Sequence, residues 1–181
     1  IALDGAAIPV LFGQLGEAYE ALVVSGAELP TWPLSEVASG EAAEVTASDL
    51  DYWRDAMACT PVHTPLPTLP AGSGDRSNAH LITLPEPLEA ALQRVAKASD
   101  ASFFQVLSAG WAAYVHRFTG EDVVAFGYPV SLRPREASQR VGCFVNTLPM
   151  VLTVGGASFA QVIARTRGAR RAAKAHQHVP W

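Results

Sequence analysis

Three stretches of this chain hold more glycine, amide, acid and imidazole in fixed order than packing alone asks for. They are Ile1-Ala2-Leu3-Asp4-Gly5, Val141-Gly142-Cys143-Phe144-Val145-Asn146-Thr147-Leu148-Pro149 and His176-Gln177-His178-Val179-Pro180-Trp181. Asp4 lies just ahead of a helical pattern, where the helix dipole favours an acid. His176 and His178 are two imidazoles that could share a metal, but no third ligand follows at a fitting spacing, so they read as loop residues and no metal is expected. Cys59 and Cys143 are far apart with no CxxC, which excludes a disulfide scaffold and a thiolate zinc site and fits a reducing cytoplasm. His63, His80 and His116 read as loop, strand and helix-surface residues.

The elements that must position these stretches follow from periodicity. Ile8, Leu11, Phe12, Leu15, Tyr19, Leu22 and Val23 recur at helical spacing and predict an amphipathic helix over 7–24, ended by Ser25-Gly26. Residues 27–47 read as a loop. Ser48-Asp49-Leu50-Asp51 resembles a capping box opening a short helix through Tyr52, Trp53 and Met57. Prolines 61, 65, 67 and 70 with Gly72 and Gly74 mark an extended connection. Residues 79–84 alternate like a strand, and 87–98 carry Leu88, Ala91, Leu92 and Val95 on one helical face. Ser102 caps a helix whose wide apolar arc, from Phe103 to Phe118, predicts the most buried helix, stopped at Thr119-Gly120. Strands are expected over 123–126 and 143–154, with Pro149 marking a bend or an edge. Ser158 caps a last helix, with Phe159, Val162, Ile163 and Thr166 inward and a basic face of Arg165, Arg167, Arg170, Arg171 and Lys174. Helices mixed with a few strands indicate an α/β layer.

Bulk properties limit the function. Charged residues make up 17 % and hydrophobic ones 49 %, so much of the surface must be small or apolar, as if normally covered. The net charge of −4 and the lack of a long charge run argue against nucleic acid and anionic membranes as partners. No apolar stretch is expected to span a membrane, and the first residues lack the basic start of a signal peptide.

The 141–149 segment resembles the (I/V)GxFVNT motif of nonribosomal peptide synthetase condensation domains over its whole length. The 176–181 segment resembles their (H/N)QD(V/Y)PF motif, with His178 for the usual Asp and Trp181 for the usual Phe. Asp4 and Gly5 resemble the last two positions of HHxxxDG, and the family's two histidines would immediately precede Ile1. Tyr52-Trp53, the strand Gly127-Tyr128-Pro129-Val130, and Arg133 fall in the family's order between these motifs. Two features depart from the pattern: Ala6-Ala7 replaces the aromatic–Ser pair after DG, and the Y-x-D-(F/Y)-A segment before Tyr52 is degraded.

The resemblance implies an α/β, chloramphenicol-acetyltransferase-like fold of two lobes. This chain would be a fragment holding the end of the N-lobe with connecting helices (1–58), a Pro-rich connector (59–78) and most of the C-lobe (79–181). It implies an amide-bond-forming acyltransferase that joins a donor aminoacyl or peptidyl thioester to the amine of an acceptor aminoacyl thioester. Both are held on 4'-phosphopantetheine arms of donor and acceptor carrier proteins, with no cofactor bound directly. The missing N-terminal lobe and a neighbouring adenylation domain are further expected partners. The second histidine of HHxxxDG would orient or deprotonate the amine, so the fragment alone is expected to be inactive. Asp4 and Gly5 are then the remnant of the catalytic motif, with Arg133 as the ion-pair partner of Asp4. Gly142, Phe144, Val145, Asn146 and Thr147 would line the substrate tunnel, and His176, Gln177 and Pro180 would form the closing motif. Cys143 falls at the variable position of its motif and reads as a small buried residue, not a nucleophile. The basic face of the last helix could meet an acidic carrier protein or simply be solvated. Three other readings remain open: an epimerisation relative, disfavoured by the VNT segment; a cyclisation relative, disfavoured by Asp4-Gly5; and a noncatalytic domain of the same fold that recruits a partner enzyme.

Overall fold

The computed structural model describes residues 3–32, 44–60 and 81–180. Expectations for Ile1, Ala2, His63, His80, Trp181, the 61–78 connector and most of the 27–47 loop lie outside these residues. The elements are helix α1 (Ala7–Tyr19), continued by a π-helical turn (Glu20–Val24), then α2 (Ala47–Met57), α3 (Glu86–Ala98) and α4 (Phe103–Thr119). Strands β1 (Val123–Ser131) and β2 (Val145–Thr153) follow, then α5 (Phe159–Ala173) and a 3-10 turn (Lys174–His176).

By compactness the chain forms two units, each assembled from separated stretches. One comprises Ile1–Tyr52, Tyr128–Leu148 and Ala175–Trp181; the other comprises Trp53–Gly127 and Pro149–Lys174. Both strands pass from one unit into the other.

The second unit holds α3, α4 and α5, with α4 in contact with both neighbours. In its core Val106, Ala109, Ala112 and Val115 of α4 and Val162, Ile163, Thr166 and Ala173 of α5 are buried together with Met150 and Leu152 of β2. Both helices open with full capping boxes. Ser102 accepts from the Gln105 amide and Ser158 from the Gln161 amide, while each Gln side chain accepts from the cap residue's own N–H. Gly120 ends α4 at φ 78°, a left-handed conformation that glycine adopts without a Cβ clash.

The strands pair as an antiparallel two-stranded sheet. The Leu132 N–H donates to the Phe144 carbonyl at one end, and the Val154 N–H donates to the Asp122 carbonyl at the other. β1 runs farther than the expected 123–126 and includes Pro129. Pro129 and Pro149 are tolerated because, among the described residues, each strand of the sheet has a side with no paired strand.

Four expectations are corrected and one is refined. α2 begins in an earlier capping register: the Asp49 N–H donates to Thr46 Oγ1 and the Thr46 N–H to Asp49 Oδ2. Thr46-x-x-Asp49 is the box, not Ser48-x-x-Asp51. Residues 81–84 form no strand; Leu81 and Ile82 are exposed, and the described sheet offers them no edge. α4 is the most buried of the described helices, as expected, but on one face only: its bulky residues Leu107, Trp111, Tyr114 and Phe118 turn outward while its buried residues lie on the side packed by α3 and α5. The apolar stripe of α1 is likewise exposed, from Leu11 at 39 % to Phe12 at 66 %. Finally, Ala7–Val24 forms 18 continuous helical residues with a mean hydropathy of 1.2, long and apolar enough by length and composition to cross a membrane. Its polar residues are used in contacts within the protein: the Gln14 amide donates to the Gln139 carbonyl, and Glu17 accepts from the Trp32 indole.

The basic face of α5 is largely engaged by the chain itself. Arg167 pairs with Asp100 and donates to the Ser99 carbonyl, Arg165 donates to the Thr153 carbonyl, and the Arg170 guanidinium lies 4.9 Å over the Phe104 ring. It therefore offers less free charge than its sequence suggests.

Candidate functional site

Two junctions, both inside the first unit, gather the three segments singled out by sequence. At the first, Asp4 is buried and its carboxylate accepts three hydrogen bonds. The donors are the Ala7 N–H (2.8 Å) and Arg133 Nη2 (2.9 Å) at Oδ1, and the Phe144 N–H (2.8 Å) at Oδ2. The Asp4 N–H donates back to the Gly142 carbonyl at 3.3 Å. Asp4 thus does both jobs considered for it, capping the start of α1 and pairing with Arg133. Burial pushes its carboxyl up, but the Phe144 amide, the Arg133 guanidinium and the Ala7 amide outweigh this and hold it below its ordinary value.

Arg133 fixes the opposite side. Nη1 donates to the carbonyls of Ala137 (2.9 Å) and Arg140 (2.7 Å), and Nη2 also donates to that of Gly142 (3.1 Å). Its guanidinium lies 4.3 Å over the Phe144 ring. The planar fork therefore folds the 134–142 loop around itself and delivers Phe144 to Asp4. Gly142 is required by close approach, since a Cβ there would stand 3.1 Å from the Phe144 ring. Gly5 faces open space and shows no such demand. Cys143 is exposed rather than buried: it lies at the outer position between Gly142, whose carbonyl points to Arg133, and Phe144, whose N–H points to Asp4.

At the second junction, Asn146 on β2 holds the C-terminal segment by its backbone. Its Nδ2 donates to the carbonyls of Gln177 (2.9 Å) and Val179 (2.6 Å), while its Oδ1 accepts from the Thr147 N–H (2.9 Å). Val145 and Thr147 are exposed, as is Pro180. Val179 is buried.

Asp49 holds the same segment by its side chains. Its Oδ1 lies 2.7 Å from His176 Nδ1 and its Oδ2 lies 3.2 Å from His178 Nε2. The Thr46 hydroxyl and N–H donate to Oδ2 as well, and these Thr46 and His176 contacts hold the carboxyl well below the usual carboxylate range. A carboxylate can only accept, so His176 carries a proton on Nδ1 and His178 on Nε2. The Tyr52 ring stacks on His176 with centroids 4.1 Å apart and planes 13° from parallel. Sequence reasoning missed Asp49; the sign that could have found it is the Thr46-x-x-Asp49 capping register. Among the described residues no group of three or more His, Cys, Asp or Glu could hold a metal.

The condensation-domain family model matches residues 1–181. The chain belongs to that family. The isonitrile lipopeptide synthase of Mycobacterium tuberculosis is 32 % identical over 140 residues, covering 75 % of this chain and 6 % of that protein. A component of the linear gramicidin synthase of Brevibacillus parabrevis is 28 % identical over 193 residues, covering 100 % of this chain and 2 % of that protein. The first condensation domain of the calcium-dependent antibiotic synthetase, solved in complex with a substrate analogue, superposes with a TM-score of 0.73 at 30 % identity. That match takes in 99 % of this chain and 44 % of the solved one, so the chain spans less than half of a solved condensation domain. The fold is the α/β, chloramphenicol-acetyltransferase-like one that the resemblance implied. Condensation domains are amide-forming acyltransferases of nonribosomal peptide synthetases. In this member, the DG, GxFVNT and HQxVP segments are bound to one another by Asp4, Arg133, Asn146 and Asp49.

Proposed function

We propose that the protein containing these residues joins a donor aminoacyl or peptidyl thioester to the amine of an acceptor aminoacyl thioester. The observation that carries this reading is the match to the condensation-domain family along residues 1–181. The substrates would arrive on the phosphopantetheine arms of donor and acceptor carrier proteins, with a neighbouring adenylation domain loading one of them, in the cytoplasm.

In this reading Asp4 and Arg133 position groups and do not transfer protons. The Asp4 carboxylate is engaged by three donors, and the Arg133 guanidinium is spent donating to Asp4 and to three carbonyls. His176 and His178 direct their protonated ring nitrogens at Asp49, so neither is assigned the role of base toward the amine. Val145 and Thr147, exposed on β2 beside the Asn146 clamp, are assigned to the substrate tunnel, with Asn146 holding the strand next to the closing segment.

The test mixes the protein carrying these residues with donor- and acceptor-loaded carrier proteins and follows the dipeptidyl thioester by mass spectrometry. Product above the uncatalysed rate is expected. No product, together with tight binding of a separate tailoring enzyme, would replace this reading with the recruitment one.

A further inference from the structure

We infer that Asp49 is a positioning residue for the 176–180 segment and that His178 is matched to it in charge. The segment is held from two sides by two residues. Asn146 takes the carbonyls of Gln177 and Val179, and Asp49 takes the ring nitrogens of His176 and His178. Among the described residues, one internal backbone bond closes the turn, from the Val179 N–H to the His176 carbonyl at 3.4 Å. Its shape therefore depends on these outside anchors.

The two anchors differ in kind. Asn146 reads backbone, which any residue supplies. Asp49 reads side chains, and it accepts only from groups that carry a proton. Position 178 is where the family's (H/N)QD(V/Y)PF motif carries an acid, and here it is a base. With an acid at 178, a shorter side chain would bring a second carboxylate toward Asp49 Oδ2, to within the roughly 4–6 Å over which like charges disfavour each other, where His178 Nε2 now lies at 3.2 Å. Two carboxylates that close cannot both ionise without strong cost. Asp49 is already held as an anion by Thr46 and His176, so the new acid would be the group expelled. His178 and Asp49 therefore form a pair in which neither side can change sign alone. Tyr52, stacked on His176, is a further titratable group here, and burial pushes its hydroxyl up and keeps it neutral. It supplies no charge that could compensate.

The inference concerns how the segment is held, and it is tested without relying on the amide-forming reading. Amide hydrogen exchange at residues 176–179 is measured in the protein carrying these residues, for His178→Asp, Asp49→Asn and the double variant. His178→Asp is expected to speed exchange there about tenfold, as coupled neighbours do. Asp49→Asn with His178→Asp is expected to restore part of the protection, because the amide NH2 can donate to the new carboxylate although it no longer accepts from Thr46. Unchanged exchange in His178→Asp, or a double variant no better protected than the single one, overturns the proposal. If His178→Asp fails to fold, Asp49→Asn decides: it must speed exchange at 176–179 more than in β2, and equal effects overturn the proposal. In the amide-forming assay, a segment that orients substrate would lower kcat more than it raises KM in His178→Asp, with rescue in the double variant. Activity that ignores both changes confines the pair to shape, whereas activity absent from the unaltered protein counts only against the proposed function.

Discussion

The buried ion pair sets the expectations at the residue scale. Replacing Arg133 with Ala leaves the Asp4 charge enclosed and releases three carbonyls, so a loss of about 3–5 kcal/mol is expected in denaturant unfolding, as for one-sided removal of a buried pair. Asp4→Asn keeps one accepting oxygen but turns the other into an NH2 that cannot accept, so either the Ala7 or the Phe144 N–H loses its partner along with the charge. The same two carboxylates, Asp4 and Asp49, fix the acid response. Both have folded pKa values below their unfolded ones, so their stabilisation is fully present above the unfolded value of about 3.9 and is lost as pH falls through the folded values. Denaturation midpoints should therefore hold steady with respect to these two groups from pH 7 to about 5 and decline below about 4. Asp4→Asn should flatten that decline; an unchanged acid limb would count against the assigned shift.

Among the elements, the helices rest on caps and the hairpin on a close approach. Ser158→Ala removes the acceptor for the Gln161 amide and should lower stability by about 1 kcal/mol, with Ser158→Asp close to neutral. Gly155 lies just past the end of β2, and a Cβ there would overlap the Asp122 side chain while the Asp122 carbonyl binds the Val154 and Gly155 N–H groups. Gly155→Ala should cost about 1–3 kcal/mol by overpacking, and the second change Asp122→Gly should recover part of it in the melting temperature. The capping residues and Gly120 were legible as residue types at fixed offsets. The Thr46–Asp49 box was misplaced by two residues because Ser48-Asp49-Leu50-Asp51 offers the same chemistry in a neighbouring register, and local sequence cannot rank the two. What ranks them is the distant pair His176 and His178, which needs Asp49 in the first turn.

Across the whole molecule, the exposed faces of α1 and α4 dominate the surface chemistry. Phe12, Leu15, Trp111, Tyr114 and Phe118 are each 46 % exposed or more. The 181-residue chain should therefore bind an apolar fluorescent dye and self-associate as its concentration rises, as large uncovered patches do. Changing Phe12 and Leu15 to Ser should reduce dye binding while shifting stability by less than about 0.5 kcal/mol per site, as for surface substitutions. A large loss of stability would show that these side chains are packed.

Family, fold class and most helix ends, though not the start of α2, were legible in the order of residues alone, because motifs, caps and 3.6-residue periodicity are written in neighbouring positions. Arg133 was legible as the partner of Asp4 too, through motif order rather than through any local signal. Which apolar face of α1 or α4 is covered was not, since periodicity identifies a stripe but not its neighbour. Packing settled that the buried residues of α4 lie on the side packed by α3 and α5, and that Cys143 points outward between two residues engaged by Arg133 and Asp4. It also turned His176 and His178 from loop residues into partners of one carboxylate 127 and 129 positions away. Such pairings depend on where the backbone returns in space, and hydrogen-bond partners that far apart leave no pattern in a single sequence.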